Sequence, residues 1–361
     1  MSNDLKNDLD TSWINTLKAT CIILVVIYHV TQPGFENTIS SLSVGRHIAQ
    51  AWVVFNTHLS PFRMPAFFFV SGLLAYKNIM SRSWRELCTG KLANLLYLYI
   101  LWCALQWISI QLIIHEITGE RISQNSNAIY SSSLTSLGML SLMGMSSSWY
   151  LYALLGYIIL AKIGKKNPII ILFLALTLHY IAILKLVPFW GPQSLCRYFI
   201  FFYIGLHASS AIISFSQWKR GNVIPWSILF LGAIIHRTLG IPQNLCESLL
   251  AILIAIAICR WMNTYFSLQQ FNKLSYITLP IYVIHRIIIE LFCMIAIQQA
   301  RLLQLFENDY FSYGWALGYP LIMTALCCII SLIIWKLINQ GRGKWLFSIT
   351  RRKNSVSINT S

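Results

Sequence analysis

The chain has 361 residues, of which 57% are hydrophobic and only 11% are charged, with a mean hydropathy of +0.62. A water-soluble domain carries about 25% charged residues, so this composition excludes an ordinary cytosolic or secreted globular protein and favours one surrounded by lipid. The formal net charge of +16 does not indicate a nucleic-acid partner, because the basic residues lie in small groups between apolar segments rather than on one arm or face.

Ten apolar segments approach the length of about 20 residues that a membrane-spanning helix needs. They lie at about 13–32, 62–80, 92–114, 147–163, 168–187, 195–214, 223–239, 244–262, 274–298 and 314–338. The segment 48–59 is too short to span and is predicted to be a re-entrant or interfacial helix. We therefore predict an all-α fold, a polytopic transmembrane helix bundle with about ten spanning helices. The first is expected to be retained, because no signal-peptide cleavage site follows it.

The positions of the basic residues predict how this bundle is oriented. If the N-terminus is inside, the inner loops and tails hold 18 of the 27 Lys and Arg residues, and the outer side holds eight. Because basic residues accumulate on the cytoplasmic side of membrane proteins, both termini are predicted to be cytoplasmic. The predicted domains are a cytoplasmic tail of residues 1–12, an integral-membrane domain of residues 13–338 and a basic cytoplasmic tail of residues 339–361. The longest loop, about 115–146, is predicted to lie outside.

The first predicted helix carries two ionisable residues, Lys18 and His29, which are 11 positions apart. At 100° and 1.5 Å per residue they lie within about 20° of each other and about 16 Å apart along the axis. One face of this helix therefore has a cation near the inner membrane surface and an imidazole near the outer one, with Asn15 one turn below Lys18. Ionisable groups at membrane depth are costly and usually functional, although a snorkelling lysine and a helix-capping histidine are the alternative interpretation.

Two further segments place charge inside the membrane. Arg63 enters the second predicted helix just before a proline, and an interfacial arginine on a packed helix is the alternative interpretation. In the ninth predicted helix Arg286 and Glu290 are four residues apart and are predicted to form an ion pair. His285 faces elsewhere, and is either a functional group or a buried histidine with satisfied hydrogen bonds.

Other candidates lie at helix ends. Trp149 begins the fourth predicted helix, Arg197 lies at the outer end of the sixth, and Lys91 begins the third near Arg82 and Arg85. Each also fits an aromatic or basic residue placed at the membrane interface.

Taken in chain order, these segments resemble the acyltransferase 3 family of bacterial integral-membrane O-acyltransferases. The resemblance is carried by Lys18 and His29 with their spacing, and by FRMPAFFFVSG (62–72), WRELCTGKLANLLYLYI (84–100), SSWYLYALLGY (147–157), RYFIFFYIGL (197–206) and LSYITLPIYVIHRIII (274–289). The segments are closer to an enterobacterial inner-membrane branch of the family than to its lipopolysaccharide acetylases.

The resemblance implies a multi-pass protein of the bacterial inner membrane that transfers an acyl group, commonly acetyl, to a hydroxyl of an envelope carbohydrate or glycolipid. The donor is expected to be cytoplasmic acetyl-CoA or another acyl-CoA, used as a co-substrate without a tightly bound cofactor. His29 takes the place of the family's essential catalytic histidine, and Lys18 that of an arginine in the same motif. Lys91 and Asn94 stand where the family has two arginines associated with the acyl donor.

The sequence departs from the family at several positions. Asn15 stands where many members have aspartate, Arg63 where they have histidine before Met-Pro, and Tyr97 where they have proline. A non-catalytic member that acts in envelope assembly is therefore an alternative. So is a transporter or flippase of an envelope metabolite, since buried cations suit a substrate pathway. The sequence has no pair of matched Gly- or Pro-broken helices, which counts against the transporter.

On the enzymatic interpretation, His29 is the general base that removes the proton of the acceptor hydroxyl. Arg63 stabilises the developing oxyanion or orients the acceptor, and Lys18 completes the predicted catalytic group. A covalent route through an acylated His29 is the alternative mechanism.

The remaining candidates are predicted to bind the substrates. Lys91, Arg82 and Arg85 are expected to hold the CoA phosphates, and His285 to line the channel for the pantetheine arm. Further predicted binding residues are Asn15, Trp149 and Arg197. No cysteine or histidine spacing indicates a metal site.

Overall fold

The computed structural model describes residues 12–217, 223–241 and 244–349, and within these ranges every regular element is helical. The principal helices are α1 Ser12–Val30, α2 Arg46–His58, α3 Ser60–Ser81, α4 Trp84–Thr118, α5 Leu134–Leu142, α6 Trp149–Ile163, α7 Pro168–Ile183, α8 Trp190–His207, α9 Ser209–Phe215, α10 Val223–Thr238, α11 Leu245–Tyr265, α12 Gln269–Lys273, α13 Thr278–Leu302 and α14 Asp309–Ile338. A helix coincides with each of the ten predicted segments, so the all-α prediction is confirmed and a membrane helix bundle fits the structure. Of the two predicted tails, residues 1–11 and 350–361 lie outside the described residues.

Five helices in the described residues are long and apolar enough to cross a membrane by themselves. They are Ser12–Ser41, which continues α1, and α4, α11, α13 and α14. A sixth span results if α8 and α9 are counted together, but these are bent by 85°, so the prediction of one helix at 195–214 is wrong. α7 and α10 have 16 residues each, which gives about 24 Å of helix against a hydrocarbon core of about 30 Å. The predicted number of about ten spans is therefore not confirmed.

α1 lies inside the bundle, where it packs against α3, α11, α13 and α14. Its buried residues are distributed around the helix rather than along one stripe. A helix that is apolar on all sides is typical of a bundle core. The two ionisable residues of α1 are therefore enclosed by other helices.

A polar network fixes the beginning of α1. The Thr16 hydroxyl donates to the Asn272 side-chain oxygen at 2.7 Å and accepts from the Asn263 amide at 2.7 Å, which joins α1 to α11 and α12. One residue earlier, the Asn15 side-chain oxygen accepts from the Ser275 hydroxyl at 2.9 Å. Because these partly buried polar groups satisfy one another, they hold α1 at a definite depth and rotation.

α3 and α8 cross at two glycines. A Cβ atom added at Gly72 would overlap the carbonyl oxygen of Phe202, and one added at Gly205 would overlap that of Phe69. Small residues allow two helix backbones to approach closely in a membrane bundle, where packing rather than hydrophobic burial drives association. This contact fixes α3, and with it Arg63 and Ser71, relative to the rest of the bundle.

α2 covers the segment 48–59 that was predicted to be a short re-entrant or interfacial helix. Its Asn56 side chain is fully buried, while Val54 and Phe55 are exposed. The helix therefore buries Asn56 together with Ala49 and Val53, and leaves other apolar groups exposed.

The predicted ion pair of Arg286 and Glu290 is confirmed, with a separation of 3.3 Å in the buried interior. The Tyr130 hydroxyl joins it, since it accepts from Arg286 at 2.6 Å and donates to Glu290 at 2.8 Å. The second carboxylate oxygen accepts from the backbone N–H of Ile122 at 2.9 Å. Burial raises the pKa of the Tyr130 phenol, which keeps it a donor. The pair thus anchors the middle of the predicted 115–146 loop against α13.

The beginning of the predicted C-terminal tail is docked on α4. The Tyr97 hydroxyl donates to the carbonyl of Trp345 at 3.1 Å, and the Trp102 indole donates to that of Leu346 at 2.9 Å. The backbone N–H of Ile349 donates to the Asn94 side chain at 2.8 Å. Residues 341–349 are therefore part of the folded domain.

We expect Gly72→Ala to destabilise the protein, because its Cβ would meet helix backbone that cannot move aside. Overpacking of this kind costs about 1–3 kcal/mol. The measurement is the midpoint of thermal unfolding in detergent, with Gly156→Ala as the matched control, since a Cβ at that helical glycine meets no atom within 4 Å. Equal unfolding midpoints for the two variants would contradict the close α3–α8 contact.

Candidate functional site

His29 lies at the last turn of α1 and is half-buried among aromatic and basic side chains. Its ring is 5.0 Å from that of Tyr28 and 5.3 Å from that of His285, measured between ring centroids. The charges of Arg63 and Arg286 act on the imidazole at this position. His29 therefore faces the bundle interior and not the lipid.

Arg63 is held beside His29 by α1 and α2. Its guanidinium lies 4.3 Å from the centroid of the Tyr28 ring, a cation–π contact. It donates to the backbone oxygen of Asn56 at 2.9 Å and to the Asn56 side-chain oxygen at 3.2 Å. The side chain is 6% exposed and forms no ion pair with a carboxylate in the part of the chain that the structure describes. Its positive charge is thus stabilised by the two oxygens of Asn56 and by the ring of Tyr28.

A cavity of about 250 Å³ runs between α1, α3, α4, α6, α8 and α13. Lys18 and Lys91 line it, together with Asn94, and most of the remaining wall is apolar. Lys91 is also close enough to Arg82 for their charges to interact. The two lysines come from the N-terminal parts of α1 and α4, so a single end of the bundle supplies the positive charge.

Ser71, Tyr150 and Tyr282 also line the cavity, and the ring of Tyr282 lies next to that of His285. The Ser71 hydroxyl donates to the carbonyl of Phe67 at 2.8 Å and lies 2.5 Å from the Tyr150 hydroxyl. Because Ser71 has one proton and uses it for Phe67, Tyr150 is the donor in the second bond. The sequence did not identify these three hydroxyls as part of a site. It showed only that they lie in apolar segments that also carry the candidate residues.

The hydroxyl of Tyr282 both accepts and donates a hydrogen bond. Its hydroxyl accepts from the backbone N–H of Tyr150 at 3.0 Å and donates to the carbonyl of Ser147 at 2.9 Å. The Tyr150 N–H belongs to the first turn of α6, where helix geometry leaves donors without a partner. Tyr282 thus caps α6, and its ring forms the partition between the cavity, which it lines, and His285.

His285 does not line the cavity but lies behind its wall. Its ring is 5.9 Å from that of Tyr282, which does line the cavity, and 5.3 Å from that of His29. The prediction that His285 lines a channel is thus not met by this cavity, because Tyr282 on the preceding turn of α13 covers the ring.

The other predicted binding residues are spread over the bundle. Arg82 and Arg85 are exposed at the turn between α3 and α4, near the lysine end of the cavity. Asn15 bonds to Ser275 and does not line the cavity. Trp149 packs on Phe68 and on Tyr198 with ring separations of 5.7 Å, and the Arg197 guanidinium lies 5.4 Å from the Tyr198 ring.

One basic residue near the cavity was assigned by the sequence only to an inner loop. Lys162 is 8% exposed, and its amine donates to the carbonyls of Ile79 at 2.7 Å and Arg82 at 2.5 Å. These bonds tie the end of α6 to the end of α3. The grouping of Lys162 with Lys165 and Lys166 was typical of an inner loop and gave no sign of this anchoring role.

The chain was compared with known proteins. The family described as "Acyltransferase domain" matches residues 11–336. The inner membrane protein YcfT of Escherichia coli (strain K12) is 27% identical over 345 residues, which cover 93% of this chain and 95% of that protein. No solved structure matches.

We expect Tyr282→Phe to destabilise the partition, because it leaves the Tyr150 N–H and the Ser147 carbonyl without their partner. A buried group that loses its hydrogen bond costs about 1–3 kcal/mol. Thermal unfolding measures the effect, and Tyr276→Phe is the control, since Tyr276 is 75% exposed. If Tyr282→Phe unfolded at the wild-type temperature, the capping role of this hydroxyl would be wrong.

Proposed function

The chain belongs to the acyltransferase domain family, and from this premise we propose that it transfers an acetyl group from cytoplasmic acetyl-CoA to a hydroxyl of an envelope carbohydrate or glycolipid in the bacterial inner membrane. Acetyl-CoA acts as a co-substrate, without a tightly bound cofactor. The proposal rests on one observation. The bundle holds a cavity lined by Lys18 and Lys91, and the cavity residue Tyr282 lies next to the pair of His285 and His29, which Arg63 flanks.

The proposed orientation has about ten membrane crossings, with both termini in the cytoplasm. On this topology the ends of α1 and α4 that carry Lys18 and Lys91 face the cytoplasm, and His29 lies towards the outer surface. Three observations support this assignment, namely the basic loops at one end of the bundle, the inner-membrane location in the name of the relative, and the apolar spans. Helices shorter than the hydrocarbon core are accommodated by local thinning of the bilayer.

The donor is proposed to enter from the lysine end. Lys91 and Arg82 attract the phosphates of CoA, and charge-assisted hydrogen bonds to phosphate are strong. The apolar wall suits the pantetheine arm and the acyl group. A volume of about 250 Å³ is below the roughly 300–1,000 Å³ of pockets that bury drug-sized ligands, so the nucleotide stays outside. A short acyl group such as acetyl fits this limit better than a long chain.

The reaction is proposed to occur where the cavity approaches His29. His29 removes the proton of the acceptor hydroxyl as its oxygen attacks the thioester carbon. The C–O bond forms, the C–S bond breaks, and the proton passes from His29 to the leaving thiolate. The fixed guanidinium of Arg63 stabilises the oxyanion, since a preorganised cation in a dry site acts strongly on developing charge. Ser71 and Tyr150 line the cavity and are joined by a hydrogen bond. We propose that this bond opens to let the thioester reach His29.

We expect His29→Ala to lose at least about 100-fold of the acetyl-transfer rate, since a general base contributes about 10²–10⁴-fold. Membranes of a strain that lacks the gene, complemented with each variant, receive labelled acetyl-CoA and the envelope carbohydrate fraction, and alkali-labile label is counted. His47→Ala is the control, because His47 is exposed on α2. Transfer by His29→Ala at the wild-type rate would overturn the mechanism. If the wild type showed no transfer and was not stabilised against heat by acetyl-CoA, a carrier would be favoured instead.

We expect Lys91→Met to raise the KM for acetyl-CoA by about tenfold with little change in kcat, because a lost phosphate contact of about 1.4 kcal/mol weakens binding uniformly. Lys77→Met is the matched control, since Lys77 is exposed near the end of α3 and does not line the cavity. Initial rates against acetyl-CoA concentration give both constants. Equal KM values for the two variants would exclude donor binding at Lys91.

A further inference from the structure

His285 has a fixed protonation pattern inside the bundle. The ring is 1% exposed, and its Nδ1 atom lies 2.6 Å from the carbonyl oxygen of Tyr282 and 3.2 Å from that of Ile281. Carbonyl oxygens only accept hydrogen bonds, so Nδ1 must carry the hydrogen. In a neutral imidazole the Nε2 atom is then a hydrogen-bond acceptor. This Nε2 atom is buried without a hydrogen-bond partner in the described part of the chain.

The ring of His29 is the neighbour that suits this acceptor. The two ring centroids are 5.3 Å apart with an interplanar angle of 37°. Two imidazoles joined by an N–H···N bond have centroids about 5 Å apart, because the nitrogens are about 3 Å from each other and each lies about 1 Å from its ring centre. The separation of the two rings therefore fits such a bond.

The other donors next to His285, Tyr282 and Arg286, are directed elsewhere, although the Arg286 Nε atom has no hydrogen-bond partner in the described residues. The Tyr282 hydroxyl donates to Ser147. The Arg286 guanidinium donates to Tyr130 and to Glu290, and adjacent residues of a helix do not face each other. His29 is the remaining titratable side chain with a ring contact to His285.

Glu290, the buried carboxylate of α13, is held by other partners. One of its oxygens accepts from the Ile122 N–H, and the other accepts from both Tyr130 and Arg286. Catalytic histidines in hydrolase triads are held by an acceptor on the nitrogen that faces away from the substrate. Here an imidazole is the free acceptor in a comparable position.

We propose that His285 is a positioning residue, whose Nε2 atom accepts a hydrogen bond from His29 and thereby turns the other, unprotonated nitrogen of His29 towards the acceptor hydroxyl. The inference rests on the proposed function and adds a residue to its site. His285 does not touch the substrates. Its effect is to fix which nitrogen of His29 is the base and where that nitrogen points.

Two amide substitutions separate this role from a structural one. In His285→Asn the side-chain amide reproduces the Nδ1–H donor to Tyr282 but offers no acceptor at the position of Nε2. In His285→Gln the longer side chain places an acceptor near Nε2 and gives up the bond to Tyr282. Positioning predicts that the asparagine variant is the poorer enzyme, whereas a structural role predicts that the glutamine variant is.

The rates are measured with the purified full-length protein in proteoliposomes, with labelled acetyl-CoA and the envelope carbohydrate fraction. We expect kcat of His285→Asn to fall by about 10–100-fold, the usual loss when an orienting partner is removed, with KM for acetyl-CoA within twofold of the wild type. His285→Gln is expected to retain most of the wild-type kcat. Wild-type kcat in His285→Asn together with loss in His285→Gln would overturn the proposal.

A measurement without turnover keeps the inference separate from the proposed function. In protein labelled with ¹⁵N-histidine, we expect NMR to show His285 with hydrogen on Nδ1, and the His29 nitrogen shifts to change in His285→Asn. Unchanged His29 shifts would overturn the positioning role. A wild-type protein that transfers no acetyl group would refute the proposed reaction, while the nitrogen shifts would still decide whether the two histidines are bonded.

Discussion

The position of α1 is the constraint on which the rest of the site depends. The helix is enclosed by α3, α11, α13 and α14, and its buried residues lie on all sides of it. In lipid such a helix gains little from hydrophobic burial, so hydrogen bonds and close packing must fix its rotation. The bonds of Thr16 to Asn263 and Asn272 do this at its beginning. Because the helix is rigid, they also decide where Lys18 and His29 lie.

The part of the bundle around His285 is organised by the ion pair of Arg286 and Glu290. A buried pair is costly to desolvate unless its remaining donors and acceptors are satisfied. Here Tyr130 and the N–H of Ile122 complete it, so that the loop between α4 and α5 is drawn over α13 next to His285. The same helix therefore holds the loop in place and brings the second imidazole to His29.

The departures from the family pattern have structural counterparts. Asn94, which stands in place of a donor-associated arginine, accepts the N–H of Ile349 and so docks the C-terminal segment at the cavity. Arg63, which stands in place of a histidine, is held by Asn56 and by the ring of Tyr28. In both positions the unusual residue has partners elsewhere in this chain, which a comparison of single positions does not reveal.

The sequence by itself determined the all-α fold, the helical segments other than the one at 195–214, and the pair of Arg286 and Glu290, because these follow from hydropathy and from contacts within one helical turn. It also put Lys18 and His29 on one face of α1. Only the tertiary structure decided that α8 and α9 are bent by 85°, that Tyr150 and Tyr282 line one cavity with Lys18 and Lys91, and that His285 meets His29. These features depend on the rotation and crossing of helices that are distant in sequence. In a lipid-surrounded helix, which has no polar outer face, the hydrophobic pattern does not encode that rotation.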